Sequence, residues 1–373
     1  MKIKKKSFLI VFILALCFCL IGFSYLKKSG RLTDSDTKSF ETSNVSYSNK
    51  TKTGTEVMEK EQKIKANNTA SKKLIYSQSS TVNDVVTDLA FGNFGYLLFP
   101  VDRSIDRNMT LAEISTSDVY IWYNYIRADK TVEIINHLKG RANKGKTIFF
   151  SIYTASEIAK DSSKKDTGLF YFGGEKGMPF AIMNAGGGFM YVGAMHDSFP
   201  HALAASQLGY NSFALIYRPH HAYEDLAQAI KFIYDHAEEL GVDRNHYSLW
   251  GGSAGARMAA TLGNEEYLRH LTGRKDIPQA DAVIMQYTGY NSYSPADAPT
   301  YACVGTSDSI ASAWTMQSRL QALERLSIPT EFHSYPGLPH GFGLGTGTNA
   351  EGWFNDAIAF WKAQTQQRKK SSN

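Results

Sequence analysis

The chain has 373 residues, 43% of them hydrophobic and 13% aromatic, enough for one large α/β domain or two small ones. Its net charge of +5 hides an asymmetry: the first 75 residues carry 15 Lys+Arg against 6 Asp+Glu, and the remainder 25 against 29. The basicity belongs to the N-terminal tail, so the globular part lacks the electrostatic footprint of a nucleic-acid binder. Cys17 and Cys19 lie in an apolar N-terminal run, which leaves Cys303 as the one thiol of the globular part and excludes an intrachain disulfide or a Cys-based zinc site there.

Lys2, Lys4, Lys5 and Lys6 precede an apolar stretch from Phe8 to Leu26, broken only by Gly22 and Ser24. Positive charge before such a run is an export signal that leaves the following chain outside the cytoplasm. The run is just long enough to span a bilayer, yet Gly22-Phe23-Ser24 would serve as a small-x-small cleavage site. Residues 1–26 therefore read as a signal peptide or a membrane anchor, with the retained anchor favoured. Residues 27–73 are rich in Ser, Thr, Lys, Asn and Glu, bury too little surface to offset their ordering entropy, and are expected to form a disordered tether.

Residues 74–145 form an N-terminal extension. Asp88–Pro100 is aromatic with glycine punctuation, and Lys130–Lys144 has helical spacing through Val132, Ile135 and Leu138. Two roles are open to it: a cap over a site, or a segment packed on a sheet edge. From 146 to 367 the alternation becomes regular. Strands are predicted at Thr147–Tyr153, Leu169–Phe172, Pro179–Asn184, Asn211–Arg218, Tyr247–Trp250, Ala282–Tyr287, Thr300–Val304 and Thr330–Tyr335. Helical patterns separate most of the later strands, most clearly Ala222–Leu240 with Gly241 as its stop. Such alternation implies a mostly parallel sheet with helices on both faces. The first strands, joined by short Gly-containing turns, are candidates for antiparallel pairing.

The centre of this pattern is Tyr247–Met258, a buried strand running through Gly251-Gly252-Ser253-Ala254-Gly255 into a helix. A serine hydroxyl becomes an effective nucleophile when it projects from a sharp strand-to-helix turn, and the strand and helix pack closely only if the residues two before and two after lack bulk. Gly251 and Gly255 meet that demand. The Ala254 N–H, at the helix N-terminus, is a donor for a developing oxyanion.

Such a serine needs further donors, a base and a group that orients the base. At the end of the strand Pro179–Asn184 the chain reads Ala185-Gly-Gly-Gly-Phe189. Gly187 and Gly188 are the candidate donors, each typically worth about 3 kcal/mol of transition-state stabilisation. His340, in Pro336-Gly-Leu-Pro-His-Gly-Phe-Gly343, is the histidine that follows the final predicted strand. His333 lies inside that strand and reads as structural. Asp308, after Val304-Gly-Thr-Ser, is placed to orient the imidazole, with an N-cap for Ile310–Leu326 as the competing reading and Asp297 as the alternative acid.

From about Thr147 to Gln364 the chain resembles the α/β-hydrolases of the esterase/lipase type, near the hormone-sensitive-lipase-like and carbohydrate acetylesterase-like branches. Ala185-Gly-Gly-Gly-Phe189, Tyr217-Arg218, Glu224–Ile230, Gly251-Gly-Ser-Ala-Gly255, Asp308 and Pro339-His-Gly341 carry the resemblance. It implies a triad of Ser253, Asp308 and His340. One departure is Ala185, where the family usually has a histidine before its glycines, so a hydrogen bond steadying that loop is expected to be lost.

The resemblance implies a serine carboxylesterase. Phe189, Tyr191 and the aromatic segment Phe91–Phe99 would line a small acyl pocket suited to short acyl groups, acetyl on a glycan among them. The second reading is a catalytically silent, surface-tethered binding module on the same fold. No residue pattern calls for a metal or an organic cofactor, and the oligomeric state has no signature.

Overall fold

The computed structural model describes residues 75–371, so the expected anchor and tether at 1–26 and 27–73 lie outside the described residues. Eight strands form one sheet: β1 (Phe149–Ser151), β2 (Gly168–Gly173), β3 (Pro179–Asn184), β4 (Asn211–Ile216), β5 (Asp243–Gly252), β6 (Ala282–Gln286), β7 (Thr300–Gly305) and β8 (Thr330–Tyr335). Their order is β1-β2-β4-β3-β5-β6-β7-β8. β1 and β2 pair antiparallel, as do β2 and β4, and every later pair is parallel. β3, β4, β6 and β7 are buried at every position. This is why they read as unbroken apolar runs rather than alternating ones: helices cover both faces of a parallel sheet.

The longer helices are α1 (Ala128–Asn143), α2 (Phe199–Gln207), α3 (Ala222–Asp235), α4 (Ala254–Gly263), α5 (Glu265–Thr272), α6 (Ala313–Arg325) and α7 (Trp353–Ser371). The expected single helix Ala222–Leu240 is interrupted at His236 (φ −105°, ψ 17°), and a short turn Ala237–Leu240 then ends at Gly241 in the left-handed conformation. After β3 the chain places β4 on one side of it and β5 on the other, so the strand order reverses at β3. In open α/β sheets the carboxyl ends at such a reversal are where ligands bind.

The extension is built into the same core. Ile134, Ile135 and Leu138 of α1 are buried, and Lys139 forms an ion pair with Asp88 at 2.5 Å. Phe94 stacks on Phe149 of β1 at 4.9 Å and meets Phe170 of β2 edge-on at 6.0 Å. Phe91, Leu98 and Phe99 are buried. The aromatic segment Phe91–Phe99 is therefore packing on the antiparallel edge of the sheet, which corrects the expectation that it lines an acyl pocket. Among the described residues no helix is long and apolar enough to cross a membrane.

Candidate active site

β5 ends at Gly252, and Ser253 follows with φ 52° and ψ −115° before α4 begins. This is a strained conformation for a residue with a side chain, of the kind that persists where the surroundings over-determine it. The surroundings do so here. A Cβ on Gly251 would stand 2.2 Å from the Gly255 carbonyl carbon, and one on Gly255 would stand 2.0 Å from the Asn184 carbonyl oxygen. The Ser253 amide donates to Gln286 O at the end of β6 at 2.9 Å.

His340 comes from the loop after β8 and Asp308 from the loop after β7. His340 Nε2 lies 3.0 Å from Ser253 Oγ, and His340 Nδ1 lies 2.7 Å from Asp308 Oδ2. With Asp308 accepting from Nδ1–H, Nε2 is left with a lone pair facing the serine hydroxyl. The imidazole is buried, at 5% exposure, against Tyr287, whose ring centre is 4.9 Å away. The other oxygen of Asp308 accepts from the Ile310 and Ala311 amides at 2.8 and 2.7 Å. Asp308 therefore faces the imidazole with one oxygen and holds a turn with the other, and the N-cap reading is corrected: the helix starts at Ala313 with Ser312 as its N-cap. Asp297 is elsewhere, paired with Arg319 at 2.8 Å and Asn264 at 2.5 Å. His333 pairs with Glu331 at 2.7 Å on β8.

The glycine loop lies directly against the serine: a Cβ on Gly186 would stand 2.9 Å from Ser253 Cβ. Gly187 (φ +125°) and Gly188 (φ +63°) turn the chain, and among the described residues neither amide donates to another group of the chain. As the first residue of α4, Ala254 has an amide without an acceptor in the helix. The loop is steadied despite Ala185. Tyr217 Oη donates to Ala185 O at 2.8 Å, and the Gly186 amide donates to Asp197 Oδ2 at 2.6 Å.

Phe189 is half-buried, with its ring 5.8 Å from that of Tyr223. Tyr191 is different. It is fully buried, its hydroxyl donates to Ile121 O at 2.6 Å, and its ring packs against the Arg103 guanidinium at 5.5 Å and the Trp122 ring at 6.1 Å. It presents no surface to a ligand, and its expected place in the pocket is corrected. Trp122, 39% exposed, lies outside it on the glycine loop: a Cβ on Gly188 would stand 2.9 Å from the Trp122 ring.

Several residues of this centre had no sequence signal. Asp197 is buried and accepts from the Gly186 amide, from Tyr287 Oη at 2.6 Å and from Tyr123 Oη at 3.2 Å. Burial first, and then the neighbouring Asp197, hold both tyrosine hydroxyls well above their usual range, so they stay donors. Gln286 Nε2 donates to Gly343 O at 2.9 Å, just beyond His340. Asn124, from the extension, donates to His340 O. Each of these depends on tertiary placement rather than on spacing in the chain. Among the described residues no cluster of His, Cys, Asp and Glu could hold a metal ion.

The BD-FAE family model matches residues 173–313, which include the glycine loop, the elbow and Asp308. No curated protein matches the chain. Solved structures similar to it include an acetyl ester-xyloside bifunctional hydrolase from Caldicellulosiruptor lactoaceticus, 17% identical, covering 58% of this chain and 95% of that one with a TM-score of 0.49. A propionate-bound thermophilic esterase from the Planctomycetes species Thermogutta terrifontis is 20% identical over 57% of this chain and 92% of its own, with a TM-score of 0.48. The carboxylesterase Cest-2923 from Lactobacillus plantarum is 20% identical over 53% and 92%, with a TM-score of 0.47.

Proposed function

We propose that this chain is an α/β-hydrolase of the esterase/lipase type, a reading supported by its eight-stranded, mostly parallel sheet and the family-model match over residues 173–313, and that it is a serine carboxylesterase acting on short acyl esters, acetyl groups on glycans among them. The observation that carries this is the alignment of Ser253 Oγ, His340 Nε2 and Nδ1, and Asp308 Oδ2 at 3.0 and 2.7 Å above the carboxyl ends of β5, β7 and β8.

In this reading Ser253 Oγ attacks the ester carbonyl while His340 Nε2 takes its proton. The Gly187, Gly188 and Ala254 amides hold the oxyanion. Collapse of the tetrahedral intermediate breaks the bond to the alcohol, which leaves with the proton from Nε2. Water, deprotonated by the same nitrogen, then resolves the acyl-enzyme and frees the carboxylic acid. Phe189 is the residue set to touch the acyl group. The export signal supports action outside the cytoplasm, on a small-molecule or glycan ester, with the N-terminal segment as membrane anchor if it is retained.

The test is labelling of residues 75–373 with a fluorophosphonate probe, followed by rates on nitrophenyl esters of increasing acyl length. Labelling abolished by Ser253→Ala, with acetate and propionate esters preferred, supports the proposal. Preference for long acyl chains would overturn the substrate class. An unlabelled wild-type protein would instead indicate a silent binding module.

A further inference from the structure

The segment Ile121–Asn124 of the extension lies between the turn Asp118–Tyr120 and α1. Trp122 has φ +73°, and Tyr125, just beyond the segment, has φ +61°. Two bulky residues in the left-handed region within four positions are costly and need an external hold. That hold is the active centre. On one side, Ile121 O accepts the Tyr191 hydroxyl at 2.6 Å, and Tyr123 Oη donates to Asp197 at 3.2 Å, the same carboxyl that accepts the Gly186 amide. On the other side, the Asn124 amide donates to Gly341 O at 2.9 Å, and Asn124 Nδ2 donates to His340 O at 2.6 Å. Gly341 turns with φ +69°, and a Cβ there would stand 2.5 Å from Trp122 O.

The geometry points to Ile121–Asn124 as a clamp that sets the glycine loop and the histidine loop relative to each other, with Asn124 the positioning residue for His340. The inference rests on the esterase chemistry proposed for Ser253. His340 sits on a loop rich in glycine, and its ring is fixed through Nδ1 by Asp308. Its main chain needs a separate restraint if Nε2 is to stay in reach of Ser253 Oγ, and Asn124 supplies that restraint from outside the hydrolase domain. The extension is then a constituent of the active centre rather than a removable cover.

The test uses Asn124→Asp, which keeps size and the backbone bond but replaces the donor facing His340 O with an acceptor, and Asn124→Ala as the second variant should the first not fold. Expected are a kcat on nitrophenyl acetate lowered 10- to 100-fold, a KM changed less than threefold, and a matching fall in the fluorophosphonate inactivation rate. Combined with Asp308→Asn, the Asn124 change should add less than threefold, because both act through the same imidazole. An unchanged kcat, or full multiplicative effects in the double variant, would overturn the clamp while leaving the esterase intact. A wild-type protein that neither labels nor hydrolyses esters would overturn the esterase proposal, and the clamp with it.

Discussion

Asp197 Oδ2 accepts the Gly186 amide at 2.6 Å, a bond that fixes the entry to the glycine loop from beneath. The carboxyl is buried and meets three donors, with no cation partner among the described residues, and a Cβ on Gly252 would stand 2.4 Å from its Oδ1, so the elbow closes over it. In Asp197→Asn one acceptor oxygen becomes an N–H2 facing donors. Hydrogen bonds to charged groups contribute about 1.5–3 kcal/mol each, so we expect a loss of roughly 2 kcal/mol in urea unfolding. A kcat lowered at least tenfold should accompany it, because the loop loses its anchor.

The glycines divide by what surrounds them. At Gly251 an added Cβ would meet the Gly255 backbone at 2.2 Å, and neither strand nor helix can withdraw. At Gly188 it would meet the ring of Trp122 at 2.9 Å, a partly exposed side chain able to shift. Gly251→Ala should therefore yield little soluble protein. Gly188→Ala should fold with a modest drop in melting temperature yet, under the proposed esterase mechanism, lose activity by roughly 10²–10³, the effect expected of a misplaced oxyanion donor. Circular dichroism beside ester hydrolysis separates the two cases.

Much of this was legible in the sequence, for identifiable reasons. β3 and β8 span the expected residues because their runs are bounded by turn residues, and the elbow was readable because its glycines report a steric demand seen in the Cβ distances. Ala185 pointed to the loss of a hydrogen bond that steadies the loop, but the loop is held through Tyr217 and Asp197, which no spacing ties to it. Tyr191 misled for a related reason: an aromatic beside a glycine loop looks like a pocket wall until the extension is seen to cover it. The break at His236 leaves the apolar periodicity of the helix intact, so periodicity could not reveal it.

His196 gives the fold an acid limit. It is buried with its ring edge-on to Tyr120 at 4.2 Å, and burial lowers its pKa from 6.5 to about 3. Between those values the unfolded chain binds a proton that the folded chain does not, so stability is present above pH 6.5 and is lost as pH falls toward 3. At 1.36 kcal/mol per pH unit, lowering the pH from 6.5 to 5 should cost about 2 kcal/mol through this residue. His201, also lowered by burial, adds in the same direction. His196→Phe should flatten the melting temperature against pH over that interval, and an unchanged slope would show that other groups govern it.

Asp308 divides its two oxygens between structure and chemistry, and substitution can separate them. Oδ1 holds the Ile310 and Ala311 amides, and Oδ2 holds His340 Nδ1. In Asp308→Asn the remaining oxygen can keep the loop amides, and the amide nitrogen then faces Nδ1 as a donor. The imidazole must accept at Nδ1 and carry its proton on Nε2, the tautomer that cannot deprotonate Ser253. We expect a kcat lower by roughly 10³–10⁴ at neutral pH with a melting temperature close to wild type. Asp308→Ala should lose the loop bonds as well, adding a destabilisation of about 1–3 kcal/mol to a similar kinetic loss. Thermal unfolding and single-turnover release of nitrophenol from both variants check the division. Equal stability of the two would show that the loop amides do not depend on Oδ1, and near-wild-type kcat in Asp308→Asn would show that His340 takes its tautomer from elsewhere.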